Sequence, residues 1–138
     1  MKKFIFFLLI CFQSIGFSNV NWTKITKNQN KDTFYIDLNR VSKDKEFILF
    51  WVLIDSPPNA LSNRSGIKSI TFKIQCNCLS YAYKTEKTVF FSESMGRGKE
   101  SYTSKFYATN FSSKGFWTFP SKNSSEEKVI KYLCKQKK

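Results

Sequence analysis

Residues 67–78 constrain the fold most, because apolar and polar side chains alternate along this stretch. Successive side chains of a β-strand point to opposite faces, so the alternation predicts a long strand with one buried face and one wet face. The side chains of the predicted buried face are Ile70, Phe72, Ile74, Cys76 and Cys78. Two cysteines are therefore expected on the buried face of a sheet.

The C-terminal segment has a different period, which predicts an amphipathic helix. Ser124 and Glu127 have the spacing of a capping box, in which each side chain satisfies a backbone donor at the start of a helix. The residues that follow place one apolar stripe at helical spacing: Val129, Ile130, Leu133 and Cys134. A helix lying on the buried sheet face would bring Cys134 close to Cys76 and Cys78.

The rest of the chain adds further β-prone segments and one turn. The alternating or β-prone segments are residues 21–25, 33–38, 81–83, 88–91 and 102–107. Residues 47–54 are apolar throughout, which is typical of a central strand covered on both faces. Residues 94–98 contain the glycines of a turn. The pattern predicts an α+β fold, with an antiparallel β-sheet of about five to six strands and a C-terminal α-helix packed on one face.

The first residues have the organisation of a secretory signal peptide. A short positive start precedes an unbroken apolar run at residues 4–12, and small residues favour cleavage after Ser18. The apolar run is too short to cross a bilayer, which needs about 20 residues. We predict a signal peptide at residues 1–18, a single domain at residues 19–138, and no membrane span in the mature chain.

Three cysteines remain after cleavage, and export implies a compartment in which disulfides form. Cys76 and Cys78 cannot easily bridge each other, because residues two apart on a strand are about 7 Å apart. The expected bond joins one of them to Cys134, and the residues alone leave both pairings open. Either bond closes a loop of more than fifty residues. The chain has no histidine to complete a zinc site, so no metal is expected.

The net positive charge is the main physical indication of a binding partner. Lys and Arg number 23 against 10 Asp and Glu, a formal charge of +13 that falls to +11 when the two signal lysines leave. Such charge attracts polyanions such as lipopolysaccharide or heparan-like glycans, and it can equally serve solubility. The candidate ligand-binding surface is the basic flank of the predicted helix, Lys128, Lys131 and Lys135. Export disfavours nucleic acid as a partner.

The sequence offers no convincing catalytic set. The absence of histidine excludes Ser-His-Asp triads and Cys–His pairs. Residues 96–99 do not form a phosphate-binding loop, because Glu93 and Glu100 occupy positions where that motif needs Gly and Ser or Thr. Asp37 and Asp55 lie at strand ends, where capping and turn roles are commoner than acid–base catalysis. We predict a protein without enzymatic activity or a cofactor.

Short motifs follow one another in order along residues 20–135. They are Trp22-Thr23-Lys24-Ile25, Tyr35-Ile36-Asp37-Leu38, Trp51-Val52-Leu53-Ile54-Asp55, Met95-Gly96-Arg97-Gly98-Lys99, Phe116-Trp117 and Lys131-Tyr132-Leu133-Cys134-Lys135. In this order and spacing the chain resembles the bacterial surface-adhesin protein E family. The resemblance implies a small antiparallel sheet with a C-terminal helix tied to it by a disulfide.

The resemblance also implies a location, a disulfide pairing and a set of ligands. It places the protein at the outer membrane or cell surface of a Gram-negative bacterium. In the family a single cysteine precedes a Tyr-rich strand, and Cys78 fits that spacing better than Cys76. The implied disulfide is therefore Cys78–Cys134, with Cys76 as the departure from the pattern. The characterised adhesin binds matrix proteins such as vitronectin and laminin, binds haem and dimerises, but no motif here matches its ligand-binding residues.

These observations lead to one main hypothesis and one alternative. The main hypothesis is a non-enzymatic exported binding protein at the cell surface. Its partners would be a host or environmental matrix protein or a polyanionic surface ligand, and a homodimer is left open. The alternative is a periplasmic or envelope structural protein that interacts with another envelope component.

Overall fold

The structure is a computed structural model that describes residues 20–58, 66–102, 111 and 115–136. The chain in these ranges forms one antiparallel sheet and one α-helix. The strands are β1 (Trp22–Lys27), β2 (Thr33–Asp37), β3 (Ser42–Asp44), β4 (Phe47–Asp55), β5 (Ser69–Asn77), β6 (Tyr83–Glu93) and β7 (Arg97–Ser101), and the helix is α1 (Ser125–Lys135). The predicted signal peptide and residues 103–107 of the last predicted strand lie outside the described residues.

The sheet follows the order of the chain almost completely. Its strand order is β1-β2-β4-β5-β6-β7, and every neighbouring pair is antiparallel. The three-residue strand β3 pairs with the beginning of β4, while β2 pairs with the end of β4. The seven strands and the C-terminal helix of the described residues confirm the predicted α+β fold.

Strand β6 is one strand of eleven residues, where the sequence predicts two short β segments at residues 81–83 and 88–91. The polar residues of its first half obscure the pattern, and a register shift opposite Lys73 and Ile74 interrupts the alternation. The following hairpin is tighter than predicted. The loop between β6 and β7 has three residues, 94–96, and two of them, Met95 and Gly96, have positive φ of 61° and 68°. Residues 97 and 98 of the predicted turn therefore belong to β7.

One face of the sheet and helix α1 enclose the hydrophobic core. The core residues of the strands alternate as predicted and are almost fully buried: Phe34, Ile36, Phe50, Val52, Ile54, Ile70, Phe72, Ile74 and Cys76. Helix α1 adds Val129, Ile130 and Leu133, and it packs over β1 and β2. Each large apolar side chain buried in this way contributes about 1.5–3 kcal/mol to stability. Among the described residues, no helix has the length and apolar character needed to cross a bilayer.

The other face of β5 is less wet than the sequence predicts. Ser69 and Thr71, expected on the wet face, are 1% and 6% exposed. The Ser69 hydroxyl donates to the carbonyl of Glu93 at 2.6 Å and accepts from the backbone N–H of Gly96 at 2.9 Å. The hairpin turn thus folds over this end of the sheet. Alternation predicts which face a side chain takes, but it does not predict which segment covers that face.

Helix α1 begins with the predicted cap in a modified form. The Ser124 hydroxyl accepts from the backbone N–H of Glu127 at 3.1 Å. The Glu127 carboxylate accepts in return from Asn123, one residue before the position that a capping box uses, at 2.7 Å. The hydrogen bond from Lys131, followed by that from Asn123, lowers the pKa of the Glu127 carboxyl. This network fixes where the helix starts and hence where Cys134 meets the sheet.

A disulfide joins Cys78 to Cys134 across the helix–sheet interface. The two Cα atoms are 5.4 Å apart, and 56 positions separate the residues in the chain. Closing such a loop restricts the unfolded chain and stabilises the fold by about 4 kcal/mol in the chain-entropy model. Cys76 is a free thiol with no exposed surface, and its sulfur lies 4.0 Å from the sulfur of Cys134. The three sulfurs lie within 4.8 Å of one another.

We predict that breaking this disulfide lowers the free energy of unfolding by about 2–5 kcal/mol. Urea unfolding of wild-type protein, with and without reductant, measures the loss. Cys134→Ala should have the stability of the reduced wild type and should not respond to reductant, because the remaining Cys76 and Cys78 cannot easily bridge each other. Cys76→Ala is the matched control and should keep its full response to reductant. A Cys76→Ala protein that no longer responds would contradict the assigned pairing.

Cys76 should react slowly in the folded protein. Burial raises the pKa of its thiol to about 12, while a backbone hydrogen bond with Ile48 opposes the shift. The thiolate is the nucleophile, so native protein at mildly alkaline pH should resist iodoacetamide until it is denatured. Because the thiol of Cys76 ionises less readily in the folded protein than in the unfolded chain, pH affects the free energy of unfolding. This contribution to stability is at its full value below the pKa of the unfolded thiol, about 8.5. It is lost as the pH rises toward 12.

Mass spectrometry of alkylated peptides measures this reactivity, and urea unfolding across the alkaline range measures the linkage. Wild type should lose more stability than Cys76→Ala as the pH rises, because only wild type has the buried thiol to ionise. Fast alkylation of native Cys76 would contradict the prediction.

Candidate functional site

The sheet face opposite α1 carries the candidate site. Side chains on this face belong to positions that alternate with the core, and the strand register places them in rows. Trp51 of β4 is paired with Lys73 of β5, which is paired with Lys87 of β6. Neighbouring strands lie about 4.8 Å apart, so this row places an indole and two ammonium groups in succession across the sheet.

A groove of about 780 Å³ lies on this face. Its lining residues come from elements across the strand order: Trp22, Arg40 and Trp51 on one side, and Lys87, Arg97 and Tyr102 on the other. Thr71 and Val89, which are register partners, lie between the two sides. Its volume falls in the range of natural ligand sites, roughly 300–1,000 Å³.

Arg40 is held in place on one side of the groove. A 3₁₀ turn, Leu38–Arg40, follows β2, and Asp37 caps it by accepting from the backbone N–H of Asn39 at 3.1 Å. The other oxygen of this carboxylate accepts from Arg40 Nε. The Arg40 guanidinium lies 5.2 Å from the centre of the Trp51 ring and 5.9 Å from that of Trp22. Asp37 is 1% exposed, whereas the Arg40 side chain is 43% exposed, so a buried anion orients an exposed cation.

The other side repeats this arrangement of a cation on an aromatic ring. Lys87 Nζ lies 5.6 Å from the centre of the Tyr102 ring. The Tyr102 hydroxyl donates to the carboxylate of Glu100 at 3.2 Å, and this hydrogen bond is the main cause of a raised Tyr102 pKa. Arg97 is exposed and donates from Nε to the carbonyl of Ser94 at 3.3 Å. Flat rings and fixed cations suit this groove to an anionic ligand with faces that can stack.

Comparison with known proteins identifies the family. The sequence pattern of surface-adhesin protein E matches residues 22–135. The chain belongs to the surface-adhesin protein E family. Among curated proteins, no significant match is found.

Solved structures of protein E from Haemophilus influenzae share the adhesin E fold. Crystal form II is 17% identical with a TM-score of 0.58, and the match covers 82% of this chain and 86% of that chain. A second structure of the same protein has the same identity and TM-score, with 82% and 83% covered. Protein E from non-typeable Haemophilus influenzae is 16% identical with a TM-score of 0.55, with 82% and 74% covered. At these identities the likeness extends to the fold.

The lysines that the sequence indicated lie elsewhere on this adhesin E domain. Lys128, Lys131 and Lys135 fall on one side of α1, where Lys128 and Lys135 are exposed. Lys131 pairs with Glu127 at 2.7 Å and lies 5.9 Å from the ring of Tyr81. None of the three lines the groove. They form a separate basic stripe, and their role in ligand binding stays a prediction.

The remaining candidates of the sequence have local roles in the adhesin E fold. Asp55 accepts from the backbone N–H of Met95 at 2.7 Å and so fixes the β6–β7 turn. Cys78 and Cys134 are joined to each other, so the cluster of three sulfurs offers one thiol as a ligand. The sequence did not reveal the groove. The sequence shows two tryptophans in predicted strands and several lysines in others. Only the strand register shows that these residues lie on one face.

The adhesin E groove depends on Asp37. Asp37→Asn removes the charge that holds Arg40, so we expect the free energy of unfolding to fall by about 1–3 kcal/mol. Urea unfolding measures the loss, and the tryptophan emission of the folded variant should change because Trp22 and Trp51 no longer hold a fixed guanidinium between them. The control is Asp44→Asn on exposed β3, which should stay within about 0.5 kcal/mol of wild type. Equal effects of the two substitutions would contradict this role.

Proposed function

We propose that this member of the adhesin E family is an exported, non-enzymatic binding protein of the bacterial cell surface. The family is one of surface adhesins, and the first 18 residues have the pattern of a secretory signal. The observation that carries the proposal is the groove on the sheet face opposite α1. Among the described residues, helix α1 covers the core face, and the opposite face presents aromatic rings and cations together.

The chemistry of the groove supports binding. Tryptophan, tyrosine and arginine are the residues most enriched at the energetic centres of protein interfaces. The groove combines them with a formal charge of +11 on the exported chain, and this charge draws acidic partners from a distance. The proposed ligands are host or environmental matrix proteins, or polyanions at the cell surface. The stripe of Lys128, Lys131 and Lys135 is the second candidate surface.

Solid-phase binding tests the proposal. Mature protein with its disulfide intact is applied to immobilised matrix proteins and sulfated glycans at increasing ionic strength. We expect retention at low salt that weakens as salt screens the charges. A control protein of similar size and net charge separates specific retention from general attraction. No retention on any surface at low salt would contradict the proposal.

Labelling of intact bacterial cells tests the location. A biotin reagent that cannot cross membranes should label the exposed lysines before the cells are broken. A periplasmic pool that is labelled only after breakage would overturn the surface location. That result would favour an envelope protein that interacts with other envelope components.

A further inference from the structure

We propose that the groove binds an acidic glycan, with sugar rings stacked on Trp22 and Trp51 and with carboxylate or sulfate groups on Arg40 and Lys87. The inference rests on the proposed function, because it names the ligand class and the surface of a binding protein. The residues that carry it are two indoles, the guanidinium beside them and a row of lysines on one sheet face.

The Arg40 side chain is preorganised to bind an oxyanion. Its Nε–H donates to Asp37 and its guanidinium lies 5.2 and 5.9 Å from the centres of two indole rings, whereas the Nη groups carry the paired donors that fit a carboxylate or sulfate. Because the side chain is already ordered, binding loses less conformational entropy than it would with a mobile arginine. The indoles beside it offer flat apolar surface to the C–H face of a pyranose ring.

A row of cations extends this site across the sheet. Lys73 and Lys87 are register partners on neighbouring strands, so their backbones are about 4.8 Å apart. Lys73 is paired with Glu86 at 3.6 Å, and Glu100 adds a carboxylate to the groove lining beside Tyr102. These acids offset part of the positive charge. The groove therefore favours a ligand that alternates anionic groups with stacking surface over one that is uniformly and densely charged.

The position of the groove favours a glycan over an acidic peptide. An extended peptide must satisfy its own backbone N–H and C=O groups when it is buried. The groove lies on the face of the sheet, where the backbone groups of β4, β5 and β6 are already engaged in the ladder with their neighbours. A glycan requires only side-chain donors and stacking surfaces, and this face supplies both.

The test measures binding of a size-defined heparin-type oligosaccharide to the mature, disulfide-bonded protein by titration calorimetry. Lys87→Gln changes an exposed residue and should raise the Kd about tenfold, as expected for the loss of one hydrogen bond to a charged group. Trp22→Ala should also weaken binding. The variant in which Gln replaces Lys128, Lys131 and Lys135 tests the helix as the binding surface. The matched control is Lys45→Gln, which changes one exposed lysine outside the groove, and its Kd should stay within about twofold of wild type. Melting temperatures confirm that each variant is folded.

Fluorescence supplies a readout that reports location. Trp117→Phe leaves Trp22 and Trp51 as the tryptophans of the chain. The oligosaccharide should change the emission of this variant and protect it from iodide quenching. A neutral oligosaccharide of the same length and polyglutamate are the comparison ligands.

Each alternative result overturns the inference in a distinct way. If the helix variant binds more weakly than wild type while Lys87→Gln keeps the wild-type affinity, the site lies on α1. If polyglutamate binds as tightly as the oligosaccharide and the groove variants lose this binding, the groove is a site for acidic peptides. Binding to a matrix protein without binding to the oligosaccharide would overturn the inference and leave the proposed function standing. Failure to bind any of these ligands would overturn both.

Discussion

The packing of α1 against one face of the sheet, fixed by Cys78–Cys134, determines the rest of the structure. A sheet of alternating strands has two faces, and a single short helix can cover only one of them. Val129 and Ile130 bury the core on that side, and the disulfide holds the end of the helix near the end of β5. The covalent restraint of about 4 kcal/mol is a large part of the 5–15 kcal/mol that stabilises a typical domain.

In the described part of the chain, segments other than α1 cover the apolar residues of the opposite sheet face. Leu53 on this face is fully buried. The hairpin turn lies close to it, because a Cβ atom placed on Gly96 would be 3.7 Å from the Leu53 side chain. Toward the opposite end of the strands, the Arg40 guanidinium lies near the rings of Trp22 and Trp51, which also line the groove. The groove lies between Arg40 and the hairpin turn on this face. Its position follows from the way the described residues protect the face that α1 does not cover.

The periodicity of the sequence predicts the fold, but it predicts little of the candidate site. The alternation of β5 and the apolar stripe of α1 could be read directly, because each depends on neighbours along the chain. Ser69 and Thr71 have polar side chains, so the pattern assigns them to solvent although a turn more than twenty residues away buries them. The groove is harder still. Trp22, Arg40 and Lys87 share no local pattern and become neighbours only through pairings across five strands.

The position of Cys76 explains how the disulfide can persist beside a third sulfur. Its thiol lies 4.0 Å from the sulfur of Cys134, close to the bond that an exchange reaction would break. Exchange requires a thiolate, and burial raises the pKa of the Cys76 thiol to about 12, so almost all of it is protonated near neutral pH. The apolar core that α1 closes thus keeps Cys76 unreactive. The same packing that the disulfide stabilises protects the disulfide from rearrangement.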